Sequence, residues 1–228
     1  MQTRLLGVAI LIVAIAANYG SADVVWTGAF DSDIQNDSNY DFSGSGLSTI
    51  SGIEGSNLLD NLVFNNSGTA PQLPNTGGGQ FNYGSATFGL TFDNVVATFE
   101  AGSNEGWRGN TVSLINGSQT TSFFYVSSTV SIDATSSVVL LGGGNPVNQS
   151  TVDMAPGAVV TFTLEDVSEF NAEHIGKFTV NGSALVAGVN AIVVSDGNTG
   201  SIVTAIPEPG FLGLLGVAGI GFALRRCK

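Results

Sequence analysis

Four aspartates, Asp31, Asp33, Asp37 and Asp41, fall within eleven residues beside Asn36 and Asn39. Hard oxygen ligands at this density are what calcium prefers. The spacing opens like an EF-hand loop, yet the sixth position is Asn36 rather than glycine and the twelfth is Phe42 rather than glutamate. Two readings remain: an irregular calcium loop, or a solvated loop whose carboxylates cap its own turns. His174 is the sole histidine and Cys227 the sole cysteine, so zinc sites of His and Cys have no ligand set. A Ser-His-Asp triad would need His174, but no Gly-x-Ser-x-Gly elbow occurs and His174 follows an acidic stretch from Glu169 to Glu173. Proton abstraction by a cationic base would fall to Arg108 or Lys177. Glycoside hydrolysis asks only for two facing carboxylates, and 18 acids offer many pairs without naming one. Trp107, inside Glu105-Gly106-Trp107-Arg108-Gly109, is the candidate for stacking on a sugar, because flanking glycines read as a loop. Trp26, Tyr83 and Tyr125 are weaker candidates, and the competing role for Trp107 is to plug the core. No resident cofactor is expected, with calcium at the aspartate loop as the one exception, and no catalytic residue stands out.

These residues sit in a chain whose charge is arranged by position. Its 228 residues carry 18 acids and 6 bases, and four of the bases, Arg4, Arg225, Arg226 and Lys228, lie at the extreme ends. Between Asp23 and Ile206 only Arg108 and Lys177 oppose 17 acids. That is the wrong sign for nucleic acid or for an anionic membrane surface.

Residues 1–22 combine Arg4, an apolar run from Leu5 to Ala17 and the small residues Gly20-Ser21-Ala22, which is the layout of a secretory signal cut between Ala22 and Asp23. An uncleaved anchor is the alternative. At the other end Pro207-Glu208-Pro209 precedes fifteen uncharged residues, Gly210 to Leu224, followed by Arg225, Arg226, Cys227 and Lys228. As a helix that segment would span about 22 Å, short of the ~30 Å hydrocarbon core without help from its flanks. The terminal cations favour a cytoplasmic C-terminus and act as a membrane stop, which agrees with export of everything upstream. Cys227 then lies on the reducing side, and the exported part has no thiol for a disulfide.

The order Pro-Glu-Pro, glycine-bearing apolar segment and terminal Arg pair, over residues 207–228, resembles the PEP-CTERM sorting signal of exported bacterial proteins. The resemblance implies handling by an exosortase-type membrane protease, a transient anchor in the inner membrane, and delivery to the cell envelope surface or extracellular matrix of a polysaccharide-producing bacterium. A GPI signal would end in apolar residues rather than in Arg225 and Arg226.

The central domain, residues 23–206, alternates apolar and polar positions: Phe88, Leu90 and Phe92; Val112 and Leu114; Val130 and Ile132; Val160, Phe162 and Leu164; Phe178 and Val180. Period two with β-branched and aromatic residues means strands. Asn116-Gly117, Gly142 to Pro146, Pro156-Gly157, Asn181-Gly182 and Asp196-Gly197 supply the turns. Only Glu165 to His174 reads as a helical turn, stopped by Gly176. The domain is predicted to be all-β. An echo at an offset of 22 links Val130 with Val152, Ile132 with Met154, Val138 with Val160 and Leu140 with Phe162. Stacked coils burying one apolar interior would produce it. It fades at Arg108 and His174. A short right-handed parallel β-helix is therefore favoured, with a β-sandwich or jelly roll as the alternative. The opening Trp26-Thr27-Gly28 and the Ser/Thr/Val-rich coils resemble exported, autotransporter-like β-repeat proteins. Residues 31–87 read mainly as loops, with strands near 62–64 and 80–83 and a linker possibility around 70–79.

The expected protein is thus a non-catalytic structural or adhesive one, exported and sorted by its tail. The alternative is a carbohydrate-binding module or glycoside hydrolase acting on extracellular polysaccharide.

Overall fold

The computed structural model describes residues 23–45, 47–49, 61–73, 82–99, 106–122, 125–126 and 128–207. The expected signal segment, Gln80 and Phe81, and everything from Glu208 onward lie outside the described residues.

In chain order the strands are β1 (Val24–Trp26), β2 (Tyr40–Asp41), β3 (Asn61–Asn65), β4 (Gln72–Leu73), β5 (Asn82–Asp93), β6 (Val96–Phe99), β7 (Gly106–Ile115), β8 (Gln119–Ser122), β9 (Tyr125–Val126), β10 (Thr129–Ile132), β11 (Ser137–Leu140), β12 (Val147–Asn148), β13 (Thr151–Met154), β14 (Val159–Phe162), β15 (Phe178–Val180), β16 (Ser183–Ala184), β17 (Ala191–Ser195) and β18 (Ser201–Ala205). The domain is all-β. The first sheet runs β16-β15-β13-β10-β7-β5-β3-β1-β2, with β9 paired to β7 and β12 to β9 off that path. The second runs β17-β18-β14-β11-β8-β6-β4. From β7 to β14 the chain passes back and forth between the sheets, and β7, β10 and β13 in the first and β8, β11 and β14 in the second pair in parallel, each with its counterpart one circuit later.

Period two explains the interior. One inward row of the first sheet reads Leu62, Leu90, Val112, Val130, Val152 and Phe178, in continuous register. The next reads Trp26, Phe64, Phe92, Leu114, Ile132, Met154 and Val180. Every one of these side chains is buried, and each such burial contributes about 1.5–3 kcal/mol. Across the core, Ala97, Thr120, Val138, Val160 and Val203 form the matching row of the second sheet.

The offset of 22 is a register relation: Val130 pairs with Val152 and Val138 with Val160. It fades at Arg108 and His174 because the neighbouring circuits have other lengths. Val112 precedes Val130 by 18 residues and Phe178 follows Val152 by 26, and the pairing continues through both. The extra length after β14 goes into helical turns at Val167–Glu169, Phe170–His174 and Ile175–Lys177, opened by a capping box between Asp166 and Glu169. These turns run through Gly176 rather than stopping at it.

Two other expectations are corrected. Leu164 lies beyond β14 and is 53% exposed, because the chain leaves the sheet after Phe162. Gln72 and Leu73, expected as loop, form β4 against Thr98 and Phe99. β3 and β5, on either side of residues 70–79, pair directly, and one buried cluster contains residues from both sides. The parallel stack ends in antiparallel pairs: β2 on β1, β16 on β15, and β17–β18 on β14. Such terminal units cover edges that would otherwise template further strands.

Candidate functional site

The chain leaves the domain through β18. Ala205 is buried, donates its N–H to Ala158 (3.1 Å) and accepts from the N–H of Gly157 (2.8 Å). The N–H of Ile206 donates to the carbonyl of Asn190 (2.9 Å). Asn190 is itself buried, its Oδ1 accepting from the N–H of Val186 and its Nδ2 donating to the carbonyl of Ala184. One side chain therefore fixes the 184–190 loop while its backbone holds the exit strand. Beyond this clamp Pro207 is exposed, beside a cleft of about 250 Å³ lined by Pro156, Val180, Asn181 and Ser183. Proline has no N–H to extend the ladder, so pairing stops there.

Of the expected sorting residues, Pro207 is the one described. Glu208, Pro209, Arg225, Arg226, Cys227 and Lys228 lie outside the described residues, as does Ala22. Asp23 is half-buried, immediately before β1. Among the described residues no helix is long and apolar enough to cross a membrane, and the apolar segment 210–224 is not among them.

The aspartate loop is organised by an asparagine. Asn39, fully buried, accepts the N–H groups of Phe30 (2.9 Å) and Asp31 (3.0 Å) on Oδ1 and donates from Nδ2 to Asp31 Oδ1 and to the carbonyl of Asp33. Asn36 Nδ2 donates to Asp31 Oδ2 (2.9 Å). These bonds, from Asn39 first and Asn36 second, hold the Asp31 carboxyl below its usual range. Asp33 accepts from the N–H of Gln35 and Asp41 from that of Ser43, which lowers Asp41 as well. The loop therefore brings Asp31 to Asn36 and Asn39 rather than gathering four carboxylates. Among the described residues no three of His, Cys, Asp and Glu come together as a metal site would need.

Trp107 is not on an exposed loop. It lies in β7 with no exposed surface, edge-on to Phe92 (centroids 4.9 Å apart, 72° between planes) and to Phe64 (5.5 Å, 62°). β7 runs on past the register break that β5 shows between Ser85 and Gly89. With both faces inside the core the indole has none to offer a sugar. Trp26 and Tyr125 are buried too, the Tyr125 hydroxyl lying 2.7 Å from Thr120 Oγ1.

Spacing missed two residues, Asn190 and Glu165, and named a third, Asn39, without its role. Asn39 and Asn190 tie loops from inside, and nothing in composition separates a buried asparagine from a solvated one. Glu165 meets His174 because the intervening residues wind into helical turns. Glu165 also accepts the N–H of Gly144.

Comparison with known proteins bears on the exit strand and the tail beyond it. No curated protein and no solved structure matches the chain. The PEP-CTERM protein-sorting motif matches residues 205–226, starting at the last residue of β18 and running through the tail. This tail is a PEP-CTERM sorting motif, which marks the protein for export to the cell exterior through an exosortase.

Proposed function

We propose that the exported domain is a short parallel β-solenoid with a non-catalytic, structural or adhesive role at the cell envelope surface or in the extracellular matrix. The observation that supports this is the continuous row of parallel pairs Val24, Leu62, Leu90, Val112, Val130, Val152 and Phe178, ended by antiparallel caps and joined to a sorting tail at exposed Pro207. Such a stack is stiff along its axis, since each circuit contacts its neighbours through a complete ladder. By the general preference of parallel crossovers it is right-handed. The 17 acids between Asp23 and Ile206 keep it soluble and hold it off other anionic surfaces. In this reading the tail anchors the chain briefly in the inner membrane, where the protease acts.

The test is cell fractionation with intact mass in the producing bacterium. The expected result is a surface or matrix protein lacking residues before Asp23 and the apolar segment after Pro209. A Glu208→Ala variant is expected to accumulate in the inner membrane with its tail attached. Recovery of the uncut chain from cytosol would overturn the reading, and so would turnover of a polysaccharide abolished by neutralising one acid.

A further inference from the structure

We propose that the 184–190 loop, through Val186 and Val189, rests on the lipid surface of the inner membrane while the tail holds the chain there. The inference deepens the anchor reading above and depends on it. Ile206 still bonds to the domain, and only Pro207, Glu208 and Pro209 separate it from the apolar segment that opens at Gly210. Fully extended, three residues reach about 11 Å. The headgroup layer they would have to cross is about 5–7 Å thick on each side of the bilayer, which leaves little slack. The segment 210–224 is also short for the hydrocarbon. A short span is accommodated by thinning the bilayer or drawing on its flanks, and neither moves the domain away. An anchored chain therefore has the exit end of its domain against the headgroups.

The surface beside the exit suits that contact. The N–H of Ile206 donates to the carbonyl of Asn190, and the N–H groups of Asn190 and Val189 both donate to the carbonyl of Val186 (3.1 and 3.0 Å). The turn carrying Val186 and Val189 thus adjoins the exit strand, with the two side chains 48% and 49% exposed. Leu185, buried at its base, holds the turn through an N–H bond to Phe178. Charge is sparse here and dense elsewhere. Between Lys177 and Glu208 the only charged residue is Asp196, and the β17–β18 pairing, which runs from Ala191–Ala205 to Ser195–Ser201, puts it at the far end of the hairpin from Ile206. Across the Asn181-Gly182 turn, Asp153 Oδ1 accepts from Thr179 Oγ1 and from the N–H of Gly182. A domain with 17 acids between Asp23 and Ile206 presents an uncharged, aliphatic turn where it gives way to the tail.

The turn is also prepared for a water-poor interface. The N–H of Val186 donates to Asn190 Oδ1, that of Gly188 to the carbonyl of Ala191, and those of Val189 and Asn190 to Val186. Backbone donors satisfied in this way lose little when water is stripped from them. Two valines bury too little area to hold an acidic domain on an anionic bilayer unaided. The tail makes the contact intramolecular, at an effective concentration on the order of mM. Cutting the tail removes that advantage, and the acids then favour release.

The experiment is thiol labelling on spheroplasts of the producing bacterium carrying the full chain with Glu208→Ala, which retains the tail. The domain has no cysteine of its own, so Ala187→Cys and Asn198→Cys each supply a single exported thiol, one in the turn and one at the far end of the β17–β18 hairpin. A charged, impermeant maleimide should label Ala187→Cys about tenfold more slowly than Asn198→Cys, while a lipid-soluble maleimide should label it faster. Adding Val186→Ser and Val189→Ser, both exposed and outside the hydrogen bonds of Asn190's side chain to Ala184, should keep Tm and restore labelling by the charged reagent. Equal labelling of the two cysteines by the charged reagent overturns the proposal, as does a slow rate that the serine pair leaves unchanged. Slow labelling of Ala187→Cys by both reagents means that another protein covers the turn and overturns the lipid assignment. In each of these cases a chain that still sediments with the membrane leaves the anchor reading standing. A chain absent from the membrane fraction sinks the anchor reading and this inference with it.

Discussion

The Nε2 atom of His174 lies 3.7 Å from a carboxylate oxygen of Glu165, and both side chains are almost fully buried. The imidazole lies flat on Phe162, with centroids 5.5 Å apart and 8° between the planes. This contact ties the helical turns after β14 back onto the end of the stack. Burial, and then the charge of Lys177, hold the His174 pKa below its ordinary value against the opposing pull of Glu165 and Glu173.

That direction fixes the pH dependence of stability. The unfolded chain takes up the histidine proton near pH ~6.5, while the folded chain does so only at lower pH. In the window below ~6.5 the unfolded state therefore binds more protons, and stability falls as pH falls until the folded pKa is passed. Thermal melts between pH 7.5 and 5 should show Tm dropping toward the acid side in wild type and nearly flat in His174→Gln. The lowered carboxyls of Asp31, Asp41 and Asp133 act in a separate and more acidic window, their contribution being lost as pH falls below about 4. An acid limb near pH 6 that survives in His174→Gln would exclude this origin.

Trp107 makes a second prediction. It closes an aromatic cluster in which Phe64 and Phe92 stack at 5.2 Å and 10°, with Trp26 tilted against Phe64 at 5.8 Å. Removing an indole from the centre of such a cluster leaves a void that tight neighbours do not fill. Trp107→Ala should cost about 3–5 kcal/mol in urea unfolding, with Trp107→Phe losing clearly less. A surface role would instead leave the unfolding midpoint of Trp107→Ala where it is.

The contrast between these two sites shows which parts of the molecule were legible in the sequence. Alternation placed Leu90, Phe92, Val112, Leu114, Val130 and Ile132 on inward rows, because a strand's side-chain period is two whatever the sheet. The 22-residue echo was a true register relation, but a fixed-offset search loses circuits of 18 and 26 residues. For the same reason Gln72 and Leu73 passed as loop: two residues carry no period. Of the two roles open to Trp107, its burial fits the core plug rather than the sugar platform; the sequence left both open because glycine neighbours mark a turn and a strand interior alike. The meeting of Glu165 with His174 depended on how a helical insertion winds, which local sequence does not encode. The tail was legible as ordered composition and needed no tertiary structure.

Asn39 leads to a third prediction. Its side chain makes four hydrogen bonds inside the 28–41 loop, and alanine would leave two backbone N–H groups and the Asp31 carboxylate without those partners. Asn39→Ala should cost about 1–3 kcal/mol and speed proteolysis within the loop. Asn39→Asp should be worse, since it sets a second carboxylate against Asp31 and removes the donors that lower that group. With Asp31, Asp33 and Asp41 already accepting from neighbouring N–H groups, chelation by EDTA is expected to leave the wild-type Tm unchanged. A calcium-dependent rise in Tm that disappears in Asp31→Asn would instead support the metal reading of this loop.

The last prediction concerns how closely successive circuits approach. Gly157, in the turn before β14, has φ of +110°, and a Cβ there would stand 2.5 Å from the carbonyl oxygen of Ala134, in the corresponding turn of the preceding circuit. Its N–H also holds Ala205 at the start of the sorting tail. Gly182, in the Asn181-Gly182 turn between β15 and β16, has φ of +76°, but a Cβ there would meet nothing within 4 Å. Both positions oppose a side chain through backbone conformation, and that common penalty is about 1–2 kcal/mol. Only Gly157 adds a collision with backbone of the neighbouring circuit, which separates the two turns or bends β14 at a further cost of about 1–3 kcal/mol. Gly157→Ala should therefore unfold at clearly lower urea than Gly182→Ala, and its exit strand should exchange amide hydrogens faster at Ala205. Equal losses in the two variants would mean that the turns are not stacked as tightly as the register from β10–β11 to β13–β14 requires.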